Sequence, residues 1–396
     1  MRDCWKTEKM CEVFELQMGK TPSRDNPDYW NGSKTWVSIG DMNSSKTISS
    51  SKEQITNKAV RESGIKIVPK GCVIMSFKLS VGKVAIAATP LYTNEAIMSF
   101  KPKDGYNLLP DFIYYYLRGY KWDGVNRAAM GLTLNKATIS QGRFSYPPIP
   151  EQERIVAELD LLSGIIEKQK SLLKELDTLA QSIFYNMFGN PVENEKGWEV
   201  RRLSELSSLI INGNTPKGGA EVYVDEGILF FRSQNVWRNR LDYEDIAHID
   251  DKTNQSMKKS ILHHNDILIT KTGRINTENS SLGRAALFAG DTGTANINGH
   301  VYLVRLRGGI NHDFVLRILI SDAYRDYIRS VCVGGIDKRQ INKEHVERFP
   351  IIYPPMVLQE EFAEKVQAIE QQKDTINRSI AESQKLFDYT MDKYFG

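Results

Sequence analysis

The sequence predicts two copies of a mixed α/β (α+β) globular domain, with two long helices that pair as an antiparallel coiled coil. Three observations predict this pseudo-twofold arrangement. The chain repeats itself over most of its 396 residues, each copy ends in a heptad seam, and short β-like runs are confined to the stretches between the seams. The boundaries read as 1–149 for the first globular copy, 150–189 for the first helix, 190–353 for the second copy and 354–396 for the second helix.

The repeat is firmest in the helices. YPPIPEQERI from Tyr146 reappears as YPPMVLQEEF from Tyr353, and NMFG ending at Gly189 as KYFG ending at Gly396, both at an offset of 207. Two anchors about 40 residues apart with no net gap imply an element of fixed length. Upstream the match is looser. Thr21-Pro22 answers Thr215-Pro216, Trp36-Val37 answers Phe230-Phe231, and GCVIMS at Gly71 answers NDILIT at Asn265, all at 194. GKVA at Gly82 answers GRAA at Gly283 at 201; DFIYYYL answers DFVLRIL, and LNKATI answers IDKRQI, at 202. The growing offset means insertions in loops between shared elements.

From Ile155 the apolar positions step by four and three: Ile155, Leu159, Leu162, Ile166, Gln169, Leu173, Leu176, Ala180, Ile183 and Met187. The second copy repeats the steps at Phe362, Val366, Ile369, Lys373, Ile376, Ile380, Ser383, Phe387, Thr390 and Tyr394. This is a coiled-coil seam, and the polar members Gln169, Lys373, Ser383 and Thr390 cost stability and fix register. Prolines precede each start (Pro147, Pro148 and Pro150; Pro354 and Pro355) and a glycine follows each end. Forty helical residues are about 60 Å long. The alternative is two separate amphipathic helices, each packed on its own domain.

Between the helices the β-like runs are WVSI, CVIMSF, KVAIAA and AIMSF in the first copy, and ILFF, ILIT, RAALFA and VYLVRL in the second. One helix follows each set, PDFIYYYLRGY and HDFVLRILISDAYRDYIRS. Polar connections such as DMNSSKTISSSKEQITNK read as recognition loops. The net charge of +3 is unevenly spread: residues 1–149 carry 21 Lys/Arg against 13 Asp/Glu, whereas the two helices are acidic. No apolar run reaches the roughly 20 residues of a membrane span, and the charged N-terminus lacks a signal-peptide core. Cys4, Cys11, Cys72 and Cys332 form no C-x-x-C pair, which reads as free thiols in a reducing, cytoplasmic setting.

Several catalytic signals fail on inspection. Gly19-Lys20-Thr21 lacks the upstream glycine of a phosphate-binding loop, because Phe14 stands there. His248, His263 and His264 have no third ligand at metal spacing. Pro110-Asp111 and Asp250-Asp251-Lys252, which could be forced into a nuclease site, fall in different copies. Neither a glycine-rich loop for S-adenosylmethionine nor an N-P-P-aromatic segment for base methylation is present.

The Thr-Pro pairs, the paired P-P…Q-E helix starts, the aromatic-Gly helix ends and the twofold order together resemble the specificity subunit of Type I restriction–modification systems. The resemblance covers essentially the whole chain. It implies that each globular copy is a target recognition domain reading one half of an asymmetric, interrupted double-stranded DNA site. It implies that the helices are the spacer and the docking surface for two methyltransferase subunits. Restriction subunits complete the complex. S-adenosylmethionine then belongs to the methyltransferase partner, ATP and Mg to the restriction partner, and no cofactor or metal to this chain. Modules about 60 Å apart would sit one to two duplex turns from each other.

On this reading affinity comes from Lys and Arg on phosphates, and sequence choice from base edges. The expected contacts in copy one are Lys20, Thr21, Arg24, Lys34, Lys78, Lys83, Arg127 and Lys136. In copy two they are Thr215, Lys217, Arg232, Arg238, Lys271, Arg274, Arg284, Lys338 and Arg339. All lie on repeated loops or in turn-rich segments. Lys136 with Lys338, and Lys83 with Arg284, occupy equivalent positions, which suits the phosphate backbone. Asn94 and Asn298 are also equivalent, and an amide can bond adenine, but their setting favours turns. The competing functions are an enzyme in its own right, either nuclease or methyltransferase, and a coiled-coil scaffold that binds proteins. Turnover by the purified chain would favour the first, and salt-independent or absent DNA binding the second.

The paired seam predicts that inserting about four residues into one helix alone shifts its register. The expected result is a weakened complex or an altered site spacing, read by size-exclusion chromatography and by methylome sequencing.

Overall fold

The computed structural model describes residues 4–43, 45–122, 126–128, 131–274, 280–335 and 338–396, leaving aside the side chains of residues 43, 126–128 and 131–133. The chain divides into two compact units, Met1–Lys170 with Arg378–Gly396, and Ser171–Asn377. The division cuts through both long helices, Ile149–Phe188 and Met356–Phe395. Each unit therefore holds one end of each helix.

In the first unit the leading sheet has the order Phe14–Met18, Ile97–Pro102, Val73–Ser76, Val84–Ala87, Thr47–Ile48, antiparallel except for the last pair. A second sheet joins Glu53–Ile55, Trp30–Val37 and Tyr92–Thr93. A small third sheet joins Asn126–Ala128, Gly131–Thr133 and Lys78–Leu79. Lys6–Lys9 pairs with Arg143–Tyr146 and clips the chain just before the helix begins. Strand residues such as Val73, Ile74 and Met75 are buried on both faces, so these runs are continuously apolar rather than alternating.

The second unit repeats the plan. Ser207–Asn212, Val301–Leu306, Ile267–Thr270 and Ala285–Leu287 form the antiparallel sheet. Tyr223–Val224, Ala247–Ile249, Ile228–Phe231 and Ala295–Ile297 form the second. Thr272–Gly273, Arg339–Gln340 and Val333–Gly334 form the small one. Val200–Arg202 and Pro350–Ile352 make the clip.

Two expectations need correction here. HDFVLRILISDAYRDYIRS is not one helix but two, His312–Ile320 and Asp322–Val331. Ser321 ends the first and caps the second: its backbone is extended, and its Oγ accepts the Tyr324 N–H. The polar stretch after Val37 is only partly loop. Thr47–Ile48 and Glu53–Ile55 join the sheets, because Ile48 and Ile55 supply buried anchors within a hydrophilic run.

The helices run antiparallel, as contacts inside each unit show. In the first unit Arg154 Nη1 donates to Tyr394 Oη at 3.0 Å and Gln169 Nε2 to Ser379 Oγ at 2.7 Å. In the second, Lys373 Nζ meets Asp177 at 2.7 Å, and the rings of Phe184 and Phe362 stand 5.5 Å apart. As one residue number rises, its partner's falls by nearly the same amount. Burial would lower the Lys373 ammonium, but its bonds to Asp177 and Glu370 hold it above the usual lysine range. Ile155, Leu159, Leu162 and Ile166 are buried with Phe387 and Tyr394; Leu176 and Ala180 are buried with Phe362, Val366 and Ile369. Leu173, Ile376 and Ile380 are half-buried.

Beyond Ala180 the buried row departs from the expected seam. Phe184 and Phe188 are the buried side chains, while Ile183 and Met187 are half-buried. A straight helix drifts from a strict heptad, and here it also turns aromatic residues toward Phe314. Gly189 (φ +76°) ends the helix, with Lys196 Nζ donating to the Asn186 and Met187 carbonyls.

The repeated glutamine of the helix starts has a structural task. Gln152 is fully buried; its Oε1 accepts from Leu109 N at 3.0 Å, and its Nε2 donates to Asn107 O and Pro147 O. Gln359, also fully buried, accepts from Asn311 N at 2.9 Å and donates to Pro354 O at 2.8 Å. Both satisfy backbone groups that prolines and tight turns leave without partners. Among the described residues no helix is long and apolar enough to cross a membrane.

Gln152→Ala and Gln359→Ala should each cost about 1–3 kcal/mol per orphaned backbone group, read by urea denaturation. Gln367→Ala, on an exposed bond to Asp313, should change stability by no more than about 0.5 kcal/mol. Equal effects would deny the glutamines this role.

Candidate nucleic-acid interface

In both units the Thr-Pro turn is set by a close backbone approach. A Cβ on Gly19 would lie 2.2 Å from Thr93 O, and one on Gly213 2.1 Å from Ile297 O. Only glycine lets the chain cross there. Asn94 and Asn298 close the facing turns by accepting from Ala96 N and His300 N, so each side-chain carbonyl is used locally.

In the first unit six of the eight expected residues form one connected region. Thr21 Oγ1 donates to Glu95. One residue on, Ala96 O accepts from Phe77 N, whose own carbonyl accepts from Leu134 N. Lys78 is thereby registered opposite Thr133 in the small sheet, three residues before Lys136. Lys83 joins through Ser76, whose backbone and hydroxyl bond its main chain. Arg127 pairs with Leu132 along the backbone, and its side chain lies outside the described residues. Lys20 and Lys136 line one open groove with Glu15, Glu95 and Lys66.

The remaining two stand apart. Arg24 forks onto Glu53 and lies 3.9 Å over the Trp30 ring. The Glu53 bond raises its pKa, and the exposed guanidinium is engaged by a partner of its own unit. Lys34 is on the strand Trp30–Val37, opposite Ile55.

The second unit has the same layout. Gly299 lies against Thr215, and His300 O accepts from Lys271 N at 2.9 Å. Lys271 O in turn accepts from Ile341 N, as Phe77 O does from Leu134 N, so the counterpart of Lys136 is Lys343, after the Asn342 cap, and not the expected Lys338. Arg339 pairs with Gly273 in the small sheet, with Lys338 and Arg274 exposed beside it. The turn Ser280–Arg284 is bonded back onto this edge through Thr270 and Thr272. Arg238 and Arg284 then meet around Trp237, with Arg284 3.8 Å over the indole. Lys217 is exposed beyond the Thr-Pro turn. Arg232 is the counterpart of Arg24 in behaviour, because its guanidinium is held by Asp245.

Sequence reasoning did not single out Lys66, which lines the groove with Lys20, or Arg325, which lines the cavity beside Trp237. Lys66 follows a glycine turn and has no repeat partner to mark it. Arg325 lies on a helix with Arg329 one turn on, a spacing that reads as an ordinary solvated face. No group of three His, Cys, Asp or Glu among the described residues could hold a metal ion. Burial pushes the Cys72 thiol up to about 12, which leaves it unreactive at neutral pH.

Comparison with known proteins adds to this geometry. The family model described as the type I restriction modification DNA specificity domain matches residues 2–177 and 195–383. The MjaIX specificity subunit of Methanocaldococcus jannaschii, a type I restriction enzyme component, is 27% identical over 291 residues, 68% of this chain and 66% of that one. The EcoR124I/EcoR124II specificity subunit of Escherichia coli is 32% identical over 166 residues, covering 39% and 40%. The match thus spans just under two thirds of the first relative and two fifths of the second. A crystal structure of the S subunit of a type I system from M. genitalium superposes with a TM-score of 0.55 at 14% identity, covering 99% of this chain and 96% of that chain. A chain from a structure of the type I system concerned with complex assembly and conformational transition also gives 0.55, at 19% identity, with 99% and 98% covered. At these identities the likeness is one of fold.

Lys136→Gln and Lys338→Gln should each reduce the slope of log K against log[salt] by about 1, measured by fluorescence anisotropy on a target duplex. Arg24→Gln should leave the slope alone and lower the melting temperature instead.

Proposed function

This chain belongs to the family of the type I restriction–modification DNA specificity domain, which it carries twice, and we propose that it is the non-catalytic subunit that chooses the DNA site. Each unit reads one half of a bipartite, asymmetric target on double-stranded DNA. The observation that carries this reading is the shared layout of the two units. The same strands, turns and small sheet present cations at equivalent positions, while the loops around them differ in length and sequence. Equivalent cations such as Lys83 and Arg284, each bonded through its main chain to a hydroxyl of the sheet edge, suit the phosphates common to every duplex, and unlike loops suit unlike bases.

The paired helices serve as spacer and as docking surface for two methyltransferase subunits. Apolar side chains left exposed on otherwise charged helices support this. They include Leu161 and Tyr389 (65% and 68% exposed) in the first unit, and Leu172, Leu179 and Val357 in the second. The methyltransferase partner binds S-adenosylmethionine and flips the target base. Restriction subunits, with ATP and Mg, complete the nuclease. The assembly works in the cytoplasm.

Exchanging residues 1–149 for the matching segment of another specificity subunit should change one half of the methylated motif and leave the other intact. Methylome sequencing of cells carrying the exchanged subunit with its methyltransferase measures this. An unchanged motif, or one altered in both halves, refutes one-unit-per-half reading.

A further inference from the structure

The second unit contains a cavity of about 210 Å³ whose walls include Trp237, Arg238, Ser280, Gly283, Arg284 and Arg325. We propose that it is a phosphate pocket that grips one phosphodiester of the bound duplex, with Arg325 as a contact. The proposal rests on the DNA-specificity reading and names the ligand of one part of that site.

Donors dominate the cavity. Arg284 is fixed in direction, stacked on Trp237 at 3.8 Å with its Nε donating to Ser280 O at 3.0 Å. Arg238 is steadied by Asp322 at 2.9 Å, a carboxylate that is itself mostly exposed. The Arg325 guanidinium has neither a hydrogen bond nor an ion pair with any described residue; Asp322 and Asp326 act on it only from a distance. Ser280 Oγ accepts from Leu282 N, which leaves its O–H to donate elsewhere. Trp237 Nε1 is a further buried donor without an acceptor among the described residues.

The electrostatics agree. Burial, and then Arg325, lowers the Arg284 pKa; burial, and then Arg238 and Arg329, lowers that of Arg325. Like charges are thus held close together. An anion with several acceptor oxygens relieves that repulsion, and forked guanidinium groups match two phosphate oxygens at once.

Position selects the source. The turn Ser280–Arg284 is bonded to the strand edge of Thr270 and Thr272, and Leu282 N lies 2.3 Å from where a Gly273 Cβ would stand. Lys271, Arg274, Lys338 and Arg339 lie on or beside that edge. A duplex backbone following these cations runs into the pocket, whereas a free phosphate would need only the pocket.

The test uses the full chain assembled with its methyltransferase, and target duplexes carrying a single neutral methylphosphonate scanned along each strand. Arg325→Gln should lower the salt slope by about 1 on target and non-target duplexes alike. At one scanned phosphate the neutral substitution should weaken wild type and leave Arg325→Gln unaffected. Arg329→Gln, bonded to Asp326 outside the cavity, should behave as wild type, and equal melting temperatures confirm that each variant is folded. An unchanged slope with no silenced phosphate overturns the proposal. So does stabilisation by inorganic phosphate that Arg325→Gln abolishes while DNA binding stays normal, since the pocket would then serve a free anion. The domain-exchange result is independent: a motif that changes by halves upholds the specificity reading even where the pocket fails.

Discussion

The antiparallel contact between the two long helices is the constraint from which the rest of the structure follows. Each helix begins at a clip of two strands and a buried glutamine, so its starting direction is fixed by its own unit. Each ends within the core of the other copy's unit, where Phe387, Met391 and Tyr394 complete one core and Leu176, Ala180, Phe184 and Phe188 the other. Neither globular copy has a finished core without the far end of its partner's helix. The polar ladder of Gln169 with Ser379 and Lys373 with Asp177 then sets one register among several that an all-apolar seam would permit. Such pairs contribute little stability of their own, and their value is in selecting an alignment.

Much of this was legible in the sequence because it obeys simple periods. The offset of 207 between the two Y-P-P segments and the two aromatic-Gly ends marked rods of equal length, and steps of four and three marked their seams. The departures have local causes. Phe184 and Phe188 replace Ile183 and Met187 in the core because Phe314 of the globular part offers them an aromatic nest, a tertiary contact that periodicity cannot see. Ser321 splits a helix that hydrophobic pattern alone would carry through, since the serine is a better cap than an interior residue. Polar strands such as Glu53–Ile55 exist through pairing with Trp30–Val37 and not through propensity.

The site was less legible than the frame, for a related reason. Repeat logic paired Lys83 with Arg284, which do share a position, but it mispaired Lys136 with Lys338, because insertions shift the offset again before the final helix of each copy and Lys343 is the residue that follows the equivalent Asn cap. It could not separate a cation facing outward from one consumed at home. Arg24 and Arg232 have the neighbours expected of binding residues, yet Glu53 and Asp245 lie across the fold to hold them. Conversely, Arg325 looked like surface charge until Trp237 and Arg284, from distant stretches of chain, closed around it.

The closing of the first unit by residues 378–395 bears on how the polypeptide matures. Ile155, Leu159 and Leu162 leave the ribosome more than two hundred residues before Phe387 and Tyr394, which cover them. Throughout that interval the growing chain carries a wet apolar stripe, a standing invitation to chaperones and to aggregation. A stop codon anywhere before Arg378 would therefore injure the end of the protein made first. The lesion would lie at the bottom of the gene and the damage at the top.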